Sequence, residues 1–181
     1  MFILAFICLA QAATIPQRAP GTQLSAVFNG PSDSPQGYIH FTSANVNDGI
    51  NEMIVGIRLF NFDASIGNFS YHIHEKPVPE RITDPGKDCL VAGGHFDTNG
   101  ITDTHVCDMN NKHACQVGDL SGKYDKIQVY RVKTRSSVYR HIYSDERLQV
   151  DVGSGISGRS VVIHDNAKKR IACANILPVP A

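Results

Sequence analysis

The chain has 181 residues, which suits one domain of ordinary size, and its 42% hydrophobic content is enough for a real core. Lysine plus arginine and aspartate plus glutamate balance at 17 each. No global charge therefore points to nucleic acid or a membrane surface, and no acidic or basic tail is present.

The first residues, Met1 to Ala10, form a short apolar run followed by the small-x-small sequence Ala10-Gln11-Ala12. This reads as a secretory signal peptide over 1–13, although it lacks the usual positive start. It is too short to cross a membrane as a helix. Residues 14–21 read as a flexible leader, and 22–181 as the folded domain. The ending Ile176 to Ala181 is short and broken by prolines, unlike a lipid-anchor signal. The expectation is a secreted, extracellular protein with no membrane anchor evident.

Apolar residues then alternate at Leu24, Ala26 and Phe28, and a turn follows at Asn29-Gly30-Pro31. The next strand sets Ile39 and Phe41 on one face against Tyr38, His40 and Thr42 on the other. Asn47-Asp48-Gly49 is a strong hairpin signal. Met53, Val55, Ile57 and Leu59 give the cleanest period-two run, and His72–Glu75 is the fourth strand. From Lys76 to about Gln116 there is little periodicity. A loop this long in a compact domain is usually functional. Strands resume around Ile127–Val132, Leu148–Val152, Ser160–His164 and Ile171–Ile176. Eight short strands predict an antiparallel sandwich or barrel.

Five cysteines are present, and removal of the signal peptide takes Cys8 and leaves four. In an oxidising compartment these should form two disulfides, for which the sequence permits three pairings. Cys107 and Cys115 lie close in a polar loop and favour a small ring, with Cys89–Cys173 as the long bridge. No Cys-x-x-Cys supports a zinc site instead. Asn68-Phe69-Ser70 is a glycosylation sequon.

His72 and His74, two apart on a strand, point to the same face. Their nitrogens can converge on one ion, or the strand can simply carry two surface histidines. His95 sits in the long loop and His164 ends a late strand. Each alone is an ordinary histidine; their arrangement is what suggests a metal centre.

Several blocks resemble the copper/zinc superoxide dismutase family: His72-Ile73-His74-Glu75; Cys89 with His95 six positions later; Val117-Gly118-Asp119-Leu120; Gly158 to His164; and Arg170-Ile171-Ala172-Cys173. All five stand in the family's order. The strings Tyr71–Pro79 and Cys173–Ile176 resemble the secreted copper-only branch, best known from fungi. The resemblance implies an eight-stranded antiparallel Greek-key β-barrel or sandwich, immunoglobulin-like, with a long disulfide-tied metal loop. It implies one copper per chain on His72, His74, His95 and His164, a Cys89–Cys173 disulfide, and Arg170 beside the metal to attract and orient superoxide. It also implies that His95 couples redox change to protonation while copper cycles between Cu(II) and Cu(I).

Two departures matter. Where the copper/zinc members have zinc histidines, this chain has Gln116 and Asp103, so zinc is not expected. His105 and His113 lie nearby but out of register. Only five residues separate His164 from Arg170, so the long charged loop of the copper/zinc members is missing and the site should be open. Lys168 and Lys169 in that short connection either add a little positive field or form a solvated turn. Without zinc, the far nitrogen of His95 needs another partner, for which Gln116 and Asp119 are the candidates; the alternative for Asp119, which the resemblance also implies, is that it only anchors the loop. The competing reading is a dismutase-like extracellular copper-binding protein without useful turnover; the full ligand set with Arg170 argues against it.

Overall fold

Alternating apolar residues give the domain its frame. A computed structural model describes residues 21–46, 50–63, 67–102, 104–129, 131–132, 135–136, 138–151 and 153–180. The signal peptide, all of the leader except Gly21, the Asn47-Asp48-Gly49 turn and Asp103 lie outside the described residues.

Strands β1 (Gln23–Phe28), β2 (Gln36–Val46) and β3 (Ile50–Phe60) form a meander. β4 (Ser70–His74) follows, then a long loop, then the short β5 (Arg131–Val132) and β6 (Arg135–Ser136), which pair with each other. β7 (Tyr139–Asp145), β8 (Ser160–His164) and β9 (Arg170–Pro178) complete the described strands. Seven of them make one antiparallel sheet in the order β4-β8-β9-β1-β2-β3-β7. The connections β3 to β4 and β7 to β8 cross over, as a Greek key requires. The curled sheet brings its two edges together: Phe69 bridges to Ile127, and the hydroxyls of Tyr71 on β4 and Tyr143 on β7 lie 3.3 Å apart.

The inward faces are the predicted ones on β1 to β4. Leu24, Ala26, Phe28, Ile39, Phe41, Met53, Val55, Ile57, Leu59, Tyr71 and Ile73 are all buried in one cluster with Val161, Ile163 and Ile176. Burial of side chains of this size is the main favourable term, about 1.5–3 kcal/mol for each large apolar residue. β8 is buried on both faces. Its outer side carries Val162, which packs with Cys173, Val78, Ile82, Cys89 and Ala92 in a second, smaller cluster. That cluster and the Cys89–Cys173 disulfide, with Cα atoms 5.7 Å apart, fasten the long loop to the sheet. Cys107 and Cys115 form the other disulfide.

Three expectations need correction. The strand at Ile127–Val132 reduces to one bridge at Ile127 and the two residues of β5. Ile127 and Val129 are buried as a strand face would be, but alternation reports burial, not a ladder partner. The strand expected at Leu148–Val152 forms no ladder across its described residues. Leu148 is buried, and the backbone closes locally, with Ile156 N bonding Gln149 O and Gly155 N bonding Asp151 O. Conversely, β7 carries Tyr139, His141, Tyr143 and Asp145 on its inner side and Ile142, 76% exposed, on its outer side, which hides its hydrophobic alternation. The long loop also contains a short helix α1 (Pro85–Asp88) and two 3-10 turns, Cys89–Ala92 and Lys112–Ala114.

Candidate metal centre

β4 supplies the foundation. Tyr71 and Ile73 point into the core, so the strand's period sends His72 and His74 outward together. β8 lies antiparallel beside it, with Ser70 opposite His164, which delivers His164 to the same face. On the other edge of β4 the loop returns as a pseudo-strand. Phe96 N bonds Ile73 O, Ile73 N bonds Gly118 O, and Gly118 N bonds Phe96 O, at 2.7–2.9 Å. This lays His95 against His74. Gly118 is needed for the close approach, because a Cβ there would lie 2.4 Å from Ile73 O.

His72, His74, His95 and His164 thus meet, each offering one ring nitrogen, all within 4.8 Å of one another. Nε2 of His74 and Nε2 of His164 are 3.2 Å apart. Among the described residues no second group of three metal-donor side chains is gathered.

The outer nitrogens set the orientation of every ring. His74 Nδ1 donates to the Gly93 carbonyl at 3.0 Å, and His164 Nδ1 to the Lys168 carbonyl at 3.3 Å. His95 Nδ1 donates to Gln116 Oε1 at 2.7 Å. The Gln116 amide is itself fixed, because its Nε2 donates to Ile101 O at 2.7 Å. His72 is turned the other way: its Nε2 faces Ser121 Oγ at 3.1 Å and Asp119 Oδ1 at 3.4 Å. Its Nδ1 is buried with no hydrogen-bond partner. A carbonyl can only accept, so each of the three carbonyl-bonded rings carries its proton on Nδ1 and turns the lone pair of Nε2 inward. The arrangement gives three inward Nε2 atoms and one Nδ1.

Burial keeps the lone pairs of His72, His74 and His164 free of protons. Burial, then the Coulomb repulsion of its neighbours His95, His164 and His74, holds His72 well below its usual value. Burial pushes His74 down to about 3 and His164 down to about 4, against smaller opposing effects of their backbone hydrogen bonds. A buried polar atom without a partner is costly. Four converging imidazoles, with His72 Nδ1 orphaned among them, are therefore chemically suited to a cation that takes nitrogen ligands, Cu(II) among them.

Arg170 stands at the rim. It opens β9 directly opposite His164. Its guanidinium donates to Cys89 O at 2.6 Å and to Gly93 O at 2.7 Å. The Gly93 carbonyl therefore serves both Arg170 and His74, and Gly93 makes it available with φ of 76°, which favours glycine. His72, His95, His164 and Arg170 line an open depression of about 520 Å³.

Other candidates fall in different places. Asp119 caps helix α2 (Leu120–Tyr124) by accepting from Gly122 N at 2.8 Å. Its remaining contact is with His72, not with His95 as the sequence suggested. His105 is exposed at the mouth of the depression, and His113 pairs with Glu146 at 2.8 Å. Lys168 lines the depression, and its carbonyl bonds His164. Asn68 is exposed. Sequence reasoning missed Ser121, which lies two residues beyond Asp119. It also missed the carbonyls of Gly93 and Lys168, for which no side-chain signal exists.

Comparison with known proteins agrees with this geometry. The profile of the family described as copper/zinc superoxide dismutase (SODC) matches residues 35–176. The chain is 35% identical over 181 aligned residues to the cell surface Cu-only superoxide dismutase 5 of Candida albicans, spanning 97% of this chain and 70% of that protein. It is 33% identical to the cell surface superoxide dismutase [Cu-Zn] 4 of the same organism, over 78% of this chain and 53% of the relative. The solved structure of Candida albicans superoxide dismutase 5 with Cu(II) superposes with a TM-score of 0.69 at 34% identity, covering 88% of this chain and 94% of that one. Profile, sequence and fold agree over most of the chain, which belongs to the copper/zinc superoxide dismutase family.

Proposed function

We propose that this protein is an extracellular superoxide dismutase that uses one copper per chain and no structural zinc. The observation that carries the reading is the four-histidine cluster, with every outer nitrogen tied and His72 Nδ1 buried without a partner. His72 through Nδ1, and His74, His95 and His164 through Nε2, would hold the metal. Bound copper would supply one-electron chemistry between Cu(II) and Cu(I), so that two superoxide anions and two protons become dioxygen and hydrogen peroxide.

The chain's own residues do the rest. Arg170, fixed by two carbonyls, presents a planar cation at the rim of the depression, where it attracts and orients a small anion. The open depression leaves room for that anion beside the histidines. His95 is half-buried, less enclosed than His74. With Nδ1 held by Gln116, its Nε2 would be open to a proton only when it does not hold the metal, and could then pass that proton to the reduced product. The same Gln116 bond supports the zinc-free reading, because it takes the His95 nitrogen that a second metal would need.

Copper-only chemistry and a cell-surface location are in the name of a relative that this chain spans to 70%, which supports both for this protein. An exposed Asn68 fits glycosylation on a secretory route. Residues 1–13 are proposed to be removed, leaving the leader 14–21 ahead of the working domain 22–181.

The test is metal analysis of the secreted protein followed by a superoxide-decay assay on copper-loaded samples. One copper, no zinc and accelerated decay are expected, with both copper and activity lost in His164→Ala. About one zinc per chain after chelator washing would overturn the zinc-free reading. Copper binding without acceleration would instead identify a copper carrier.

A further inference from the structure

A buried ion pair lies away from the histidines. Lys123 on α2 and Asp145 at the end of β7 meet at 2.5 Å, and each side chain is only 1% exposed. Taking two charges out of water is costly, and an apolar pair of similar volume often holds a fold as well or better. The pair's other bonds give it a second role.

Lys123 Nζ also donates to the carbonyl of Val117 at 2.8 Å. Asp145 Oδ1 accepts from the backbone N–H of Arg147 at 2.8 Å. Arg147 Nη1 in turn donates to the carbonyls of His113 at 2.5 Å and Cys115 at 3.2 Å. The carbonyls of Cys115 and Val117 flank Gln116, the residue that orients His95. Both are therefore pinned, one by Lys123 and the other through Arg147, and Asp145 holds both pins. Lys123 belongs to the same helical turn as Ser121, and that helix is capped by Asp119. Those are the two groups on His72 Nε2.

We propose that Lys123 and Asp145 are positioning residues of the metal centre. Through Gln116 on one side and Ser121 with Asp119 on the other, one buried pair sets the ring orientation of His95 and His72. The inference rests on the copper reading of the cluster. A residue that orients metal ligands from outside typically changes metal affinity 10–100-fold when lost. A pair that only glued β7 to the loop would change stability and leave the metal's surroundings as they were.

The experiment compares wild-type protein with three variants: Asp145→Asn, Arg147→Met and the apolar double replacement Lys123→Met/Asp145→Leu. The readouts are Cu(II) affinity by chelator competition, the Cu(II) electron paramagnetic resonance spectrum, thermal melting, and amide hydrogen exchange of the metal-free protein. Asp145→Asn should weaken copper binding about 10–100-fold, shift the spectrum, and lower exchange protection over 115–119 while β1 to β3 stay protected. The double replacement should melt near wild type yet keep the shifted spectrum. If it folds and shows wild-type affinity and spectrum, the inference is overturned. Should Asp145→Asn fail to fold, Arg147→Met, which loosens only the Cys115 side, must still shift the spectrum; an unchanged spectrum again overturns it. A wild-type protein that binds no copper would remove the copper reading. The metal-free exchange comparison then decides alone, and unchanged protection over 115–119 in the variants overturns the positioning role.

Discussion

Acidifying the metal-free protein from pH 7 to pH 5 should destabilise it strongly, because of the histidine cluster. An unfolded histidine titrates near 6.5. In the folded chain burial holds His74 at about 3 and His164 at about 4, with His72 also well below its usual value. The folded-state values are depressed, so the unfolded chain takes up protons that the folded one refuses. The associated stability is fully present above about pH 6.5 and is lost as pH falls toward 4 and then 3. Each such histidine removes about 1.4 kcal/mol per pH unit within that window. By pH 5 His74 and His164 together remove about 4 kcal/mol, and His72 adds a further loss of the same sign. That is a large part of the roughly 5–15 kcal/mol that holds a domain of this kind. Most carboxylates remain ionised at pH 5 and contribute little to the change. The assay is urea unfolding at pH 7, 6 and 5 in the presence of a chelator. The midpoint should fall steeply with pH, and copper-loaded protein should resist, since a ligand bound only by the native state adds stability. Equal midpoints at pH 7 and pH 5 for the chelated protein would refute the argument that the cluster is held neutral by burial.

Gln116→Glu should strengthen the bond from His95 Nδ1, since charge-assisted hydrogen bonds are stronger. It also removes the donor to Ile101 O and sets a carboxylate against that carbonyl. The expected result is a copper potential moved in the negative direction and a stability loss of about 1–3 kcal/mol, read by redox titration and denaturant melts; no change in either refutes it. The Cys89–Cys173 bridge spans 84 residues and Cys107–Cys115 spans 8. Loop-closure entropy therefore predicts about 4.5 kcal/mol lost on replacing the first pair by alanine and about 2.5 kcal/mol for the second. Equal losses in matched melts would contradict that account. Gly118→Ala would push a Cβ to within 2.4 Å of Ile73 O and 2.9 Å of Phe96 O. It should cost about 3 kcal/mol and lower copper retention on dialysis, because Ile73 lies between two of the histidines and Phe96 follows the third.

The sequence disclosed the strands whose apolar residues alternate cleanly and little of the rest. β1 to β3 were legible because Leu24, Ile39, Val55 and their alternates face one core. β7 was not, because the positions it turns inward are tyrosine, histidine and aspartate. These side chains have polar ends satisfied locally, such as Tyr139 Oη with His141 Nδ1 at 3.1 Å. At the site, His72 and His74 declare a shared face by their spacing. That His95 and His164 join them follows from ladder register and from Gly118, neither of which has a periodic signature. Asp119 was read as a partner for His95 because it is near Gln116 in sequence. Three residues further along the chain, however, it has turned into a helix cap and faces His72 instead.

The outer partners of the four rings explain how a centre of this kind forms without a second metal to brace it. Three of the rings donate to acceptors carried by the loops: the Gly93 and Lys168 carbonyls and the Gln116 amide. Each acceptor is itself held, the first two by groups from other parts of the chain and the third within its own turn. Gly93 is gripped by Arg170 from β9, Gln116 lies between carbonyls bound by Lys123 and Arg147, and Lys168 sits in a turn closed on Asp165. The Cys89–Cys173 bridge shortens the path between the first of these loops and β9. The bracing is therefore distributed over the sheet, and the rim arginine is part of it. Arg170 cannot move away from the depression without releasing the carbonyl that orients His74, so the place of this cation at the rim and the orientation of His74 are fixed by the same Gly93 carbonyl.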